Sequence, residues 1–119
     1  MLNETINILG LKNCDKCREA QKKLNNLEYC VELTDIRKNP IQPEQIKQLF
    51  SLFGDQILNK RSTTYRSLTS FEKNSSVVQL IQKYPTLIKR PVIMSSKKNS
   101  IGWNSEIIEE WSCISKPTY

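Results

Sequence analysis

The stretch Asn13-Cys14-Asp15-Lys16-Cys17-Arg18 joins two segments of different periodicity, and no other junction in the chain constrains the fold as tightly. Before it lies an apolar run, Ile6 to Leu11, which reads as a short strand. After it, Cys17, Ala20, Leu24 and Leu27 recur at i, i+3, i+7 and i+10 and form one buried stripe of an amphipathic helix over Arg18 to Leu27. Glu28 to Ile36 then alternates Tyr29, Val31 and Leu33 against Cys30, Glu32 and Thr34, the period of a second strand. Two strands joined by a helix of this length make a βαβ unit with parallel pairing.

Asn39-Pro40 breaks the pattern. Pro43 opens a helix whose apolar face is Ile46, Leu49, Phe50 and Phe53, and Gly54 ends it. From Asp55 to Ser76 the periodicity weakens, with short polar turns around Arg61-Ser62-Thr63-Thr64-Tyr65-Arg66. Val77, Leu80, Ile81 and Tyr84 mark a further helix closed by Pro85. Pro91 to Met94 reads as a strand, Lys97 to Ser100 as a turn, and Ser100 to Trp103 as a fourth strand. Asn104 is a suitable N-cap for a last helix burying Ile107, Ile108 and Trp111. The order is β-α-β, a helical insertion over about residues 41–86, then β-β-α. This is an α/β fold in a single domain over 1–119, without internal repeats.

At 38% apolar and 25% charged residues the composition is that of a globular chain. No basic N-terminal stretch leads into a long apolar one, and no apolar run approaches the ~20 residues of a membrane span, so a cytoplasmic protein without membrane contact is expected. Thiols stay reduced in that compartment, so the four cysteines read as catalytic, metal-binding or buried, not as a disulfide framework. The formal charge of +6 is spread over scattered lysines, with no basic block, finger spacing or helix-turn-helix spacing. It reads as a solvated surface that does not bind nucleic acid directly and is compatible with a weak attraction to anionic substrates.

Three readings of the cysteine pair compete. In the redox reading, Cys14 sits where unpaired N–H groups and the helix dipole stabilise a thiolate, and Lys12, Lys16 and Arg18 add positive charge. Cys14 is then the accessible nucleophile, and Cys17, one turn on and partly covered, closes a disulfide to release the adduct. A zinc site needs four ligands; the chain has no histidine, and only Cys30 and Cys113 could complete one, neither in a second Cys-x-x-Cys pair. The third reading is two half-buried cysteines without chemistry. Cys30 and Cys113 themselves read as packing residues. Lysine outnumbers arginine 13 to 5, so Arg61, Arg66 and Arg90 invite a reason. That reason is a bidentate grip on an oxyanion or carboxylate, set against ordinary surface ion pairs. Arg90 precedes Pro91 at the start of a strand, where an X-Pro bond can be cis. Thr63 and Thr64 offer hydroxyls to such a pocket, or simply form a turn.

Taken together, Gly10-Leu11-Lys12-Asn13-Cys14-Asp15-Lys16-Cys17-Arg18, Asn59-Lys60-Arg61-Ser62-Thr63-Thr64-Tyr65-Arg66, Leu87-Ile88-Lys89-Arg90-Pro91-Val92-Ile93 and Gly102-Trp103-Asn104 resemble the arsenate reductase ArsC, YffB and Spx family. The match in order and spacing covers about residues 5 to 112. The resemblance implies a thioredoxin-like fold with a four-stranded mixed sheet, a helical insertion and a cis peptide before Pro91. It implies Cys14 as nucleophile and Arg61 and Arg90 as two of the oxyanion arginines. Arsenate reductases of this type carry a third such arginine where this chain has Trp103 or a close neighbour. They have histidine where this chain has Gly10, and Gly-Thr-Ser where it has Asp15-Lys16-Cys17.

These departures make the chain most similar to the YffB-like branch, which is associated with glutathione-linked thiols. The expected activity is that of a glutathione-dependent, arsenate reductase-like thiol oxidoreductase, with Cys14 attacking and Cys17 resolving. Lys12, Asn13, Arg18, Arg61, Arg90 and Pro91 are its expected binding residues. Glutathione is the expected co-substrate and glutaredoxin a candidate partner; no metal, no tightly bound cofactor and a monomeric state are expected. The alternative is an Spx-like redox-switched regulator that binds RNA polymerase, against which stands a chain ending at Tyr119 where Spx proteins run on.

Overall fold

The computed structural model describes residues 5–115, with side chains described as far as residue 112. Strand β1 (Thr5–Gly10) leads into helix α1 (Asp15–Asn26) and strand β2 (Cys30–Asp35). Helices α2 (Pro43–Phe53), α3 (Thr63–Arg66), α4 (Ser70–Lys73) and α5 (Val77–Lys83) follow, with 3₁₀ turns at Gly54–Ile57 and Pro85–Leu87. Strands β3 (Val92–Met94) and β4 (Asn99–Ile101) precede the last helix, α6 (Ser105–Ser115). Among the described residues, no helix is long and apolar enough to cross a membrane.

Two compact units emerge. Described residues up to Asp35 join those from Arg90 onward in one, and Ile36–Lys89 form the other. In the first unit the sheet order is β2-β1-β3-β4. β1 pairs in parallel with β2 and antiparallel with β3, and β3 pairs antiparallel with β4. This mixed four-stranded sheet with its helices is the thioredoxin-like architecture. The register sets Ile8 opposite both Leu33 and Ile93, so one face of the sheet presents Ile6, Ile8 and Ile93. Ala20 and Leu24 of α1 and Trp111 of α6 complete a core that also takes in Tyr29 and Trp103.

Trp111 is fully buried. Its indole N–H donates to Ser100 Oγ at 2.9 Å, and its carbonyl accepts from the Tyr29 hydroxyl at 3.1 Å. The Tyr29 and Trp111 rings meet edge to face at 5.9 Å between centroids. Asn104 caps α6 as its position suggests, accepting from the Ile107 N–H at 3.0 Å.

Three expectations are corrected. β4 is Asn99–Ile101 rather than Ser100 to Trp103, because Gly102 at φ 80° turns the chain and carries Trp103 into the core. Cys30 is exposed rather than packed: it opens edge strand β2 on the sheet side opposite Val31 and Leu33. Phe50 is exposed because the buried stripe of α2 is centred on Ile46 and Leu49, leaving Phe50 at its margin. The side chain of Cys113 lies outside the described residues.

In the Ile36–Lys89 unit, α2 packs against α5. A short antiparallel stitch joins Leu58 to Ile88: the Asn59 N–H donates to the Leu87 carbonyl and the Lys89 N–H to that of Ile57, both at 2.7 Å. The weakly patterned segment holds two four-residue helices. α3 is capped by Ser62, and α4 by a reciprocal Thr69–Glu72 capping box.

Candidate active site

The end of β1 and the start of α1 are joined by a tight turn in which the Cys14 N–H donates to the Leu11 carbonyl at 3.2 Å. Lys12 and Asn13 form its exposed tip. Cys14 is the N-cap of α1, in extended backbone at φ −93° and ψ 123°, and its carbonyl accepts the first helical bond from the Arg18 N–H at 3.0 Å. That position usually holds a Ser, Thr, Asp or Asn oxygen. Here the side chain closes no cap bond of that kind, but the sulfur still faces the opening turn of the helix.

The two thiols are held differently. Cys14 is half-buried and Cys17 completely buried. Burial pushes the Cys14 thiol up. The Cys17 backbone N–H, the Cys17 thiol, the Arg90 guanidinium and the Lys16 N–H outweigh it, so the net direction is downward. For Cys17, burial dominates and the thiol is pushed up to about 11. An N–H from Leu11 opposes this, while the neighbouring Cys14 sulfur reinforces it. The geometry therefore favours the anion at the helix mouth over the anion at the core.

Arg90 acts on both sulfurs and is joined to Pro91 by a cis peptide bond. The Pro91 carbonyl accepts from the Gly102 N–H at 2.9 Å, which ties the entry of β3 to the exit of β4. Cys14, Cys17 and Arg90 thus come together with Pro91 next in chain. Arg18 instead forms an exposed ion pair with Asp15 at 2.6 Å, on the surface of the first turn of α1. Arg61 belongs to the Ile36–Lys89 unit, where it is exposed, with its backbone N–H on Asn59 Oδ1 at 3.2 Å. Thr63 and Thr64 form the first turn of α3.

Sequence reasoning passed over the part played by Gly10. A Cβ built at this position would collide with Cys17 Sγ, so the bare backbone at the end of β1 is what gives the second sulfur its seat. A glycine ending an otherwise apolar strand was the available signal. Among the described residues, no group of three or more Cys, Asp or Glu is placed to hold a metal ion.

A mixed sheet with a Cys-x-x-Cys pair at the start of its first helix and a cis-proline at the head of β3 defines a thioredoxin-like, thiol oxidoreductase-like fold. The chain belongs to the ArsC family, whose model matches residues 9–111. It is 38% identical over 108 residues to an uncharacterized protein of Haemophilus influenzae, covering 85% of this chain and 93% of that one. It is 29% identical over 102 residues to the global transcriptional regulator Spx of Streptococcus agalactiae, covering 81% of this chain and 74% of that one. A solved YffB protein superposes with a TM-score of 0.81 at 23% identity, covering 88% of this chain and 96% of that one, a likeness of fold.

Proposed function

We propose that the protein is a cytoplasmic, glutathione-dependent thiol oxidoreductase in which Cys14 attacks and Cys17 resolves. The observation that carries this reading is the asymmetry of the pair: Cys14 is lowered beside Arg90 at a helix N-terminus, and Cys17 is raised to about 11 in the core. The Cys14 thiolate attacks the glutathione sulfur of a mixed disulfide. A Cys14–glutathione disulfide forms, and the other thiolate leaves and takes a proton from solvent. Cys17 then attacks the Cys14 sulfur. The Cys14–Cys17 disulfide forms, glutathione leaves, and the Cys17 proton goes to the departing thiolate, so a buried Cys17 anion need not accumulate. Further glutathione, or a dithiol protein of the glutaredoxin kind, returns the pair to the dithiol state. Arg90 offers its guanidinium to a glutathione carboxylate. Lys12 and Asn13 edge the same mouth.

The test is mass spectrometry after exposure to oxidised glutathione. A stable adduct on Cys14 is expected in Cys17→Ser, and none in Cys14→Ser; equal adduct on Cys30 alone would sink the reading. Arsenate supplied with glutathione to the same preparations tests whether an oxyanion is also accepted.

A second reading is favoured by the 29% identity to Spx. In it the Cys14–Cys17 pair is an oxidation switch for binding RNA polymerase, and no substrate is turned over. Stoichiometric, oxidation-dependent retention of purified RNA polymerase, without glutathione turnover, would favour it.

A further inference from the structure

The charge of this chain is not evenly distributed. Residues 36–89 hold nine Lys or Arg against three Asp or Glu, a formal +6, whereas the rest of the chain holds nine of each and is formally neutral. All of the excess therefore resides in the insertion. The large hydrophobic side chains left exposed among the described residues are in the same unit: Phe71 is 86% exposed, Leu52 59% and Phe50 39%. Single exposed apolar residues are ordinary, but their coincidence with the whole basic excess is not what a merely solvated face requires.

The two features meet in α3 and α4. Phe71 and Lys73 share α4, and the Lys73 ammonium lies 5.2 Å from the centroid of the Tyr65 ring on α3, with Arg66 next to it in chain. Phe71 is thus an exposed ring on the same short helix as a cation already gathered onto an aromatic face. The one local carboxylate, Glu72, is engaged elsewhere: it accepts from the Tyr84 hydroxyl at 2.7 Å, pairs with Lys83 at 3.2 Å and closes the capping box of α4. Neither Arg66 nor Lys73 forms an ion pair among the described residues.

We propose that the α3–α4 surface docks an acidic polypeptide segment that lays one apolar side chain on Phe71 and offers its carboxylates to Arg66 and Lys73. The charge selects an acidic partner and raises its rate of encounter, and the ring supplies the anchor. A single fully exposed ring suits one apolar residue in an acidic peptide. A nucleic acid strand needs a succession of stacking rings along a basic groove, and here Tyr65 is already partly covered and paired with Lys73. The docking rests on the insertion alone and is independent of the cysteine chemistry.

The test is an amide-shift titration of the full chain with a synthetic acidic peptide carrying one central leucine, beside the same peptide with alanine there and an oligothymidylate strand. Saturable shifts confined to about residues 63–73 are expected at physiological salt. Replacing the leucine, or introducing Phe71→Ala, weakens binding by about fivefold or more, the loss expected when an anchor is removed. The exposed position of Phe71 leaves the fold intact. The double variant Arg66→Glu/Lys73→Glu abolishes the shifts. Equal binding of both peptides, or shifts spread to Lys22, Lys23 and Lys97, would reduce the attraction to general electrostatics and overturn the proposal. So would tighter saturation of the same residues by oligothymidylate.

Discussion

Two sulfurs separated by two residues differ in how readily they ionise, because one meets the helix mouth and Arg90 while the other meets the core. Iodoacetamide labelling of Cys14 is therefore expected to titrate below the ~8.5 of an unperturbed thiol. Arg90→Gln should move that midpoint upward and Arg90→Lys restore most of it, since the charge acts through space. For Cys17 the folded value of about 11 lies above the unfolded ~8.5. Its contribution to stability is complete below pH ~8.5 and is lost as pH rises toward about 11. Urea midpoints measured across that window should fall with pH in the native chain, and less steeply in Cys17→Ala. Gly10→Ala places a methyl against Cys17 Sγ. A loss of ~1–3 kcal/mol is expected from overpacking, read from the shift in urea midpoint.

Helix α6 is held to the sheet through Trp111, with an edge-to-face ring contact to Tyr29 and an indole bond to Ser100. Trp111→Phe keeps most of the apolar volume but leaves the buried Ser100 hydroxyl without that donor; a cost of ~1–3 kcal/mol is expected, against ~3–5 kcal/mol for Trp111→Ala. Denaturant unfolding would place Trp111→Phe close to the native chain if the indole N–H contributes nothing. Most elements were legible from periodicity. Ile6 to Leu11, the stripe from Cys17 to Leu27 and the alternation after Glu28 correspond to β1, α1 and β2. Helices α3 and α4, at four residues each, are too short for a period of 3.6 to register, although the spacing of Thr69 and Glu72 carried the signal of α4 in capping chemistry. β4 was displaced because hydropathy alone does not distinguish a strand residue from Trp103, which enters the core after a positive-φ glycine.

At the scale of the molecule, an overall charge of +6 should draw anions toward the protein from solution. The anionic reagent iodoacetate should accordingly gain on neutral iodoacetamide at Cys14, relative to free cysteine, by about twofold or more at low salt. That advantage should shrink as sodium chloride is added; a ratio unmoved by salt would show that no long-range field reaches Cys14. The sequence pattern revealed the β-α-β and β-β-α halves and the placement of an insertion between them, because strand and helix periods change sharply at those points. It marked Cys14, Cys17, Arg90 and Pro91 as candidates, but it did not reveal the demand that Cys17 makes on Gly10, which depends on a contact between two elements. Nor did the scatter of lysines along the chain betray that the charge balance differs so sharply between the two units.

The missing Cβ at Gly10 bears on descent as well as on packing. A sulfur at position 17 and a side chain at position 10 compete for one space, so acquiring either beside the other costs stability. The two positions are expected to covary across an alignment, with glycine accompanying the second cysteine and larger residues accompanying its loss.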